Sequence, residues 1–166
     1  LILLPALAFG AKQEVYVFNW TEYVDPGVLK QFEKETAIKV RYSTYDSNES
    51  MFAKLKLVKK AGYDVAFPST YYVERMRKQG LIQPLDKAKL PNVVNVDPAY
   101  LNTSFDPGNR FSVPYAMSTT ILGYNDAKMK ELGLPTNTWA TIFDPALLQK
   151  VKGRVTVLDS ASELFA

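Results

Sequence analysis

From Val15 to Trp20 every position except Asn19 is β-branched or aromatic, an apolar run with the composition of a buried strand. The pattern then changes period. Asp25-Pro26 offers an N-cap followed by proline at the first helical position, and Val28, Leu29, Phe32 and Ala37 recur at helical spacing among lysines and glutamates. Ile38 to Tyr45 reads as a second strand. A second helix opens at Ser47-Asn48-Glu49, carries Met51, Phe52, Leu55 and Val58 on one face, places Lys59-Lys60 where they suit the helix dipole, and stops at Gly62. Val65-Ala66-Phe67 is a short buried strand running into Pro68-Ser69, and Tyr72 to Lys78 is a basic helix ended by Gly80. Alternation of this kind predicts an α/β fold with a parallel sheet, right-handed crossovers and helices on both faces.

Between Gln83 and Arg110 the prolines at 84, 91, 98 and 107 predict turns and loop. Phe111 to Asn125 then reads as one or two strands broken at Pro114, Asp126 to Gly133 as a short helix, and Thr138 to Lys152 as a longer helix interrupted near Asp144-Pro145. Arg154 to Leu158 reads as a further strand, and a new helix starts at Ser160. The opening stretch 1–11, LILLPALAFGA, is uncharged and nearly all apolar, too short for a bilayer core of about 30 Å. It reads as the remnant of an export signal with Ala6-Leu7-Ala8 as a small-x-small cleavage pattern, or else as a buried strand that Pro5 disfavours. Stopping two turns into a helix, the 166-residue chain is expected to leave apolar surface uncovered and to be aggregation-prone by itself.

Composition removes whole classes of chemistry. The chain has no His and no Cys, which excludes Cys/His zinc sites, Ser-His and Cys-His nucleophiles, and cysteine-ligated clusters. A formal charge of +3 gives no reason to expect a nucleic-acid partner, and the eight glycines never form a GxG or P-loop, so no nucleotide cofactor is expected. No metal site is expected either.

What remains lies at the strand ends, because ligands of open parallel sheets bind beyond the strands' carboxyl ends. The segments there are Asn19 to Tyr23, Pro68 to Tyr72 and Asp159 to Glu163, which carry carboxylates, hydroxyls and aromatic rings but no Lys or Arg. Such a set suits an organic cation: an ammonium gains charge-assisted bonds to Glu22 or Glu163, and about 0.5–2 kcal/mol from each indole or phenol face. Each piece also has a plain structural reading. Trp20 finishes an apolar strand, Glu22 is a solvated loop charge, Tyr71-Tyr72 cover the sheet, and Ser160-x-x-Glu163 is a capping box. A pair of carboxylates, Glu22 and Glu163, would serve a hydrolase, and Tyr71-Tyr72 could supply phenolates to a ferric ion on the same fold.

The segments YVFNWTEYVDPGVLKQFEKETAIKVRYSTYDSNESMFAKLK (16–56), YDVAFPSTYYVERMRKQGLIQPLDKAKLPN (63–92) and FDPGNRFSVPYAMSTTILGYN (105–125) closely resemble the bacterial periplasmic spermidine/putrescine-binding proteins of ABC importers. The resemblance runs from Val15 to Phe165. It implies a two-lobed, type II periplasmic-binding fold, with residues 12–118 forming most of the first lobe and 119–166 the opening of the second. It further implies a polyamine ligand, a membrane permease as partner, a periplasmic location, and no catalysis. By the same likeness Trp20 and Tyr23 are aromatic walls, Thr21 and Glu22 contact an amine, Ser69 and Tyr71 line the first lobe, and Glu163 is an acidic ligand residue of the second. Ser160 stands where spermidine-type members have a second carboxylate, and LDSASE resembles the LDSPTE of putrescine-type members, with Asp159 a further acidic candidate. Putrescine therefore rivals spermidine as the expected ligand.

Overall fold

The computed structural model describes residues 13–58 and 62–158. The signal-like stretch, Lys59-Lys60 and the segment from Asp159 onward lie outside the described residues, and with them Asp159, Ser160 and Glu163. The chain divides into two compact units, one ending at Tyr115 and the other beginning at Ala116.

The first unit follows the predicted alternation: β1 (Glu14–Trp20), α1 (Pro26–Thr36), β2 (Lys39–Tyr45), α2 (Asn48–Val58), β3 (Val65–Ala66) and α3 (Thr70–Lys78). The strands form one parallel sheet in the order β2-β1-β3. β1 and β2 pair from Glu14 opposite Lys39 to Trp20 opposite Tyr45, and β3 adds Val65 and Ala66 opposite Val17 and Phe18. Because the chain steps from β1 to one neighbour and then back across to the other, right-handed crossovers send α1 and α2 to opposite faces. All three strands also end at one edge.

Local chemistry fixes the boundaries. Asp25 Oδ1 accepts from the Gly27 N–H at 2.6 Å ahead of Pro26, and α1 ends on Ala37, which takes the left-handed conformation at φ 58° and donates its N–H to Glu33 O. Ser47 Oγ accepts from the Ser50 N–H at 3.2 Å and so caps α2. Helix α2 buries Met51, Phe52 and Leu55 against Phe18, Tyr45, Tyr72 and Met76, forming the core of this unit. Its rings meet edge-on: Phe18 and Tyr45 lie 4.8 Å apart at 70°, Phe52 and Tyr72 5.6 Å apart at 74°. The other face is thinner, since Val28 and Phe32 of α1 stay exposed.

Gln83 to Arg110 forms three short 3-10 turns, at Lys87–Lys89, Pro91–Asn95 and Pro98–Tyr100. The strands expected over 111–125 and 154–158 do not form. Backbone donors at Arg110, Phe111 and Ser112 bond instead to the buried carboxylate of Asp106 at 3.1, 2.9 and 2.8 Å, and Pro114 has no N–H to give. The second stretch is entered through a tight turn in which Gly153 sits at φ 73° and the Arg154 N–H donates to Val151 O, with no strand beside it among the described residues. The second unit holds α4 (Asp126–Glu131), α5 (Ala140–Phe143) and α6 (Pro145–Lys150). Asp144 interrupts the predicted long helix by capping α6, its Oδ1 accepting from the Ala146 N–H at 2.8 Å, and Met129, Leu134 and Val151 form a small core. No helix among the described residues is long and apolar enough to cross a membrane.

Met51 is wholly buried, so in the full-length protein Met51→Ala should lower the unfolding free energy by about 2–5 kcal/mol, measured by urea titration. Ala37→Gly should instead raise it by up to about 1 kcal/mol, because glycine adopts the left-handed cap without a Cβ penalty.

Candidate functional site

Parallel pairing brings Trp20, Tyr45 and Phe67, the last residues of the strands or the first beyond them, to one edge of the sheet. Because β1 is central and its neighbours are reached in opposite directions, this edge between β1 and β3 is the topological switch point of the first unit. Trp20 emerges from β1 half-buried, its backbone N–H donating to Asn19 Oδ1 at 2.7 Å. That bond explains the lone polar residue of the apolar run: Asn19 is buried and holds the start of the loop. The Trp20 indole Nε1 donates to Phe67 O at 2.9 Å, and the Tyr45 hydroxyl donates to the same oxygen. The indole therefore has a fixed plane, with Tyr45 4.8 Å away at 54° and Tyr23 6.0 Å away at 35°. Together Trp20 and Tyr23 form an accessible aromatic wall backed by the buried ring of Tyr45.

The loop after Trp20 carries the polar groups. Thr21 Oγ1 donates to Asp46 Oδ1 at 2.7 Å, so its proton is committed and its oxygen faces any ligand only as an acceptor. Glu22 is exposed and sits at φ 62°, a conformation that costs a non-glycine residue on the order of 1 kcal/mol. Tyr23 O accepts from the Tyr115 hydroxyl at 2.5 Å, and the Tyr115 ring meets Phe67 edge-on at 4.7 Å. Across the edge, Ser69 occupies the N-cap position of α3 and Tyr71 lies in its first turn. Both are tied to Asn48, whose Nδ2 donates to Ser69 Oγ at 2.9 Å and to the Tyr71 hydroxyl at 3.1 Å, while its Oδ1 accepts from the Ser69 N–H at 3.0 Å.

Of the predicted residues, Trp20, Thr21, Glu22, Tyr23, Ser69 and Tyr71 thus gather at the carboxyl edge of the first unit, whereas Glu163, Ser160 and Asp159 fall outside the described residues. The structure adds Tyr45, Asp46, Asn48, Tyr115 and the carbonyl of Phe67. Tyr71 and Tyr72 have different roles although their rings lie 5.4 Å apart at 59°: Tyr72 is buried in the core, where its hydroxyl accepts from Arg75 Nη1 at 3.4 Å, while the Tyr71 hydroxyl accepts from Asn48. Among the described residues no group of three His, Cys, Asp or Glu converges to hold a metal ion. Not one residue named at this edge is basic. What the arrangement can do is sandwich an alkyl chain against rings and offer oxygen acceptors and a carboxylate to its charged end.

The same architecture is found elsewhere. Residues 27–166 match the family described as bacterial extracellular solute-binding protein, and the chain belongs to that family. Within it, the chain is 49% identical over 172 residues to the spermidine/putrescine-binding periplasmic protein of Escherichia coli (strain K12), covering 99% of this chain and 48% of that one. It is 42% identical over 170 residues to the putrescine/cadaverine-binding protein of Pseudomonas aeruginosa, again covering 99% of this chain and 48% of the relative. Among solved structures, the spermidine/putrescine ABC transporter substrate-binding protein of Streptococcus pneumoniae superposes with a TM-score of 0.60 at 47% identity, over 62% of this chain and 32% of the other. The chain spans about half the length of the relatives it matches.

Burial holds the Tyr45 phenol well above its ordinary value of about 10, because the phenolate would lose its solvation. A proton bound more tightly in the folded state stabilises it fully below the unfolded value and less as pH climbs past it. Unfolding free energy should therefore begin to fall above pH about 10, and urea titrations of Tyr45→Phe should show a shallower alkaline slope than the parent.

Proposed function

We propose that this chain is the ligand-capturing first half of a periplasmic polyamine receptor that serves an ABC importer. The observation that carries the reading is the edge itself: the rings of Trp20 and Tyr23, backed by the buried Tyr45, with hydroxyl and carboxylate oxygens beside them and no cationic side chain among its members. A diamine is an apolar stem with a charge at each end. Rings of Trp20 and Tyr23, backed by the buried Tyr45, suit the stem and the cation, and Glu22, Thr21, Ser69 and Tyr71 offer oxygens to an ammonium. The names carried by the relatives in Escherichia coli and Pseudomonas aeruginosa point to the same ligand class. We read the unit ending at Tyr115 as the first lobe and the unit beginning at Ala116 as the opening of the second, with Glu163, Ser160 and Asp159 as its contribution to the ligand.

The protein acts by binding and handing over, not by turnover. Its ligand is putrescine, spermidine or both, its partner the permease of the importer, and its place the periplasm. The ferric reading draws no support from the Tyr71-Tyr72 pair, since one of these phenols is spent in the core.

Calorimetry of the full-length protein tests the proposal. Putrescine or spermidine should bind well below millimolar. Trp20→Leu, which keeps apolar bulk but removes the ring, should weaken that binding by about 2- to 30-fold. Absence of heat with both polyamines at millimolar concentration would overturn the reading.

A further inference from the structure

Asn48 is fully buried at the first position of α2, and the periodic pattern gives it no role beyond opening that helix. Helical side chains lean toward the N-terminus, so from this position its carboxamide projects past the helix end, over the strand ends. Its orientation there is not a matter of choice. The Ser69 backbone N–H can only donate, so the amide oxygen must face it, at 3.0 Å. The amide nitrogen must then face the other way, and its two protons go to two hydroxyls: Ser69 Oγ at 2.9 Å and Tyr71 Oη at 3.1 Å.

Ser69 confirms that this is a diversion. A serine at an N-cap ordinarily accepts from an N–H of the helix's first turn, yet Ser69 makes no side-chain capping bond in α3, and its oxygen takes a proton from Asn48 instead. A clasp holding α2 to the β3–α3 loop needs only the bond to the Ser69 backbone. The other two bonds act on side chains of the candidate site.

We propose that Asn48 is a positioning residue for ligand binding: one rigid, buried carboxamide sets the Ser69 hydroxyl and the Tyr71 phenol at the angle at which they meet the ligand's amine. This rests on the polyamine reading above for the ligand's identity, but the fixing of the two hydroxyls does not depend on it. Asn48 touches no ligand in this scheme; it acts through Ser69 and Tyr71.

The test is a double-mutant cycle in the full-length protein, with putrescine and spermidine as probes in calorimetry, joined to fluorine NMR of m-fluorotyrosine-labelled protein in which the Tyr71 resonance is assigned by its loss in Tyr71→Phe. Asn48→Ala should weaken polyamine binding about tenfold in the parent, and by less than about twofold in a Ser69→Ala/Tyr71→Phe background, where nothing is left to position. The single Tyr71 fluorine resonance of the ligand-free parent should split or shift toward an averaged position in Asn48→Ala. Equal weakening in both backgrounds, or a lowered melting temperature with unchanged affinity, assigns Asn48 to the fold alone and overturns the proposal. So does an unaltered fluorine resonance. If Asn48→Ala fails to fold, Asn48→Ser, which retains one hydroxyl too short to reach both partners, takes its place in the cycle. If the parent binds neither polyamine, the functional reading fails, and the fluorine spectrum alone still decides whether Asn48 orients Tyr71.

Discussion

One carbonyl oxygen governs this edge. Phe67 O, just past β3, takes a proton from the indole of Trp20 and another from the phenol of Tyr45. Those side chains close β1 and β2, so the three strands are tied at their carboxyl ends through a single acceptor whose two lone pairs are both used. β3 contributes only two residues to the ladder and has little pairing of its own. The two side-chain donors add to the Phe67 N–H bond to Phe18 O, to the Asn48 bonds and to the burial of Tyr72 and Met76 in holding the segment that presents Ser69 and Tyr71. The ring wall and the anchoring of the third strand are thus the same set of bonds.

Much of this is legible in the pattern of residues. The strands and helices up to Lys78 follow directly from apolar periodicity, Pro26, Gly62 and the strand composition of Val15 to Trp20, because each is a local property that packing then reinforces. The rule that ligands meet parallel strands at their carboxyl ends picks out Trp20 to Tyr23 and Ser69 to Tyr71 from the chain alone. Where the pattern misleads, a distant group has captured the backbone. FSVPYAMSTTILGYN has the composition of strand, but Asp106 takes the N–H groups at its start, and a carboxylate reaching forward to three successive amides leaves no trace in periodicity.

The residues of the candidate edge that the pattern does not single out share a cause. Tyr45 reads as the last apolar residue of a strand and Asn48 as a polar residue opening a helix. Both descriptions are correct and neither is complete, since what each does depends on Phe67 and on Ser69, about twenty residues away. The Phe67 carbonyl could not have been found at all, because a backbone acceptor is present at every position. One signal was available: Ser47 already caps α2, so an Asn directly behind it has its polar group to spare for another purpose.

The left-handed backbone at Glu22 has a wider implication. Glycine or asparagine would sit there more comfortably, and any search for hardier variants would drift toward them. Either replacement discards an exposed carboxylate two residues after Trp20. If Glu22 serves the proposed ligand, durability and discrimination are in conflict at this one codon, and a relative with glycine there would keep the turn and lose a charge.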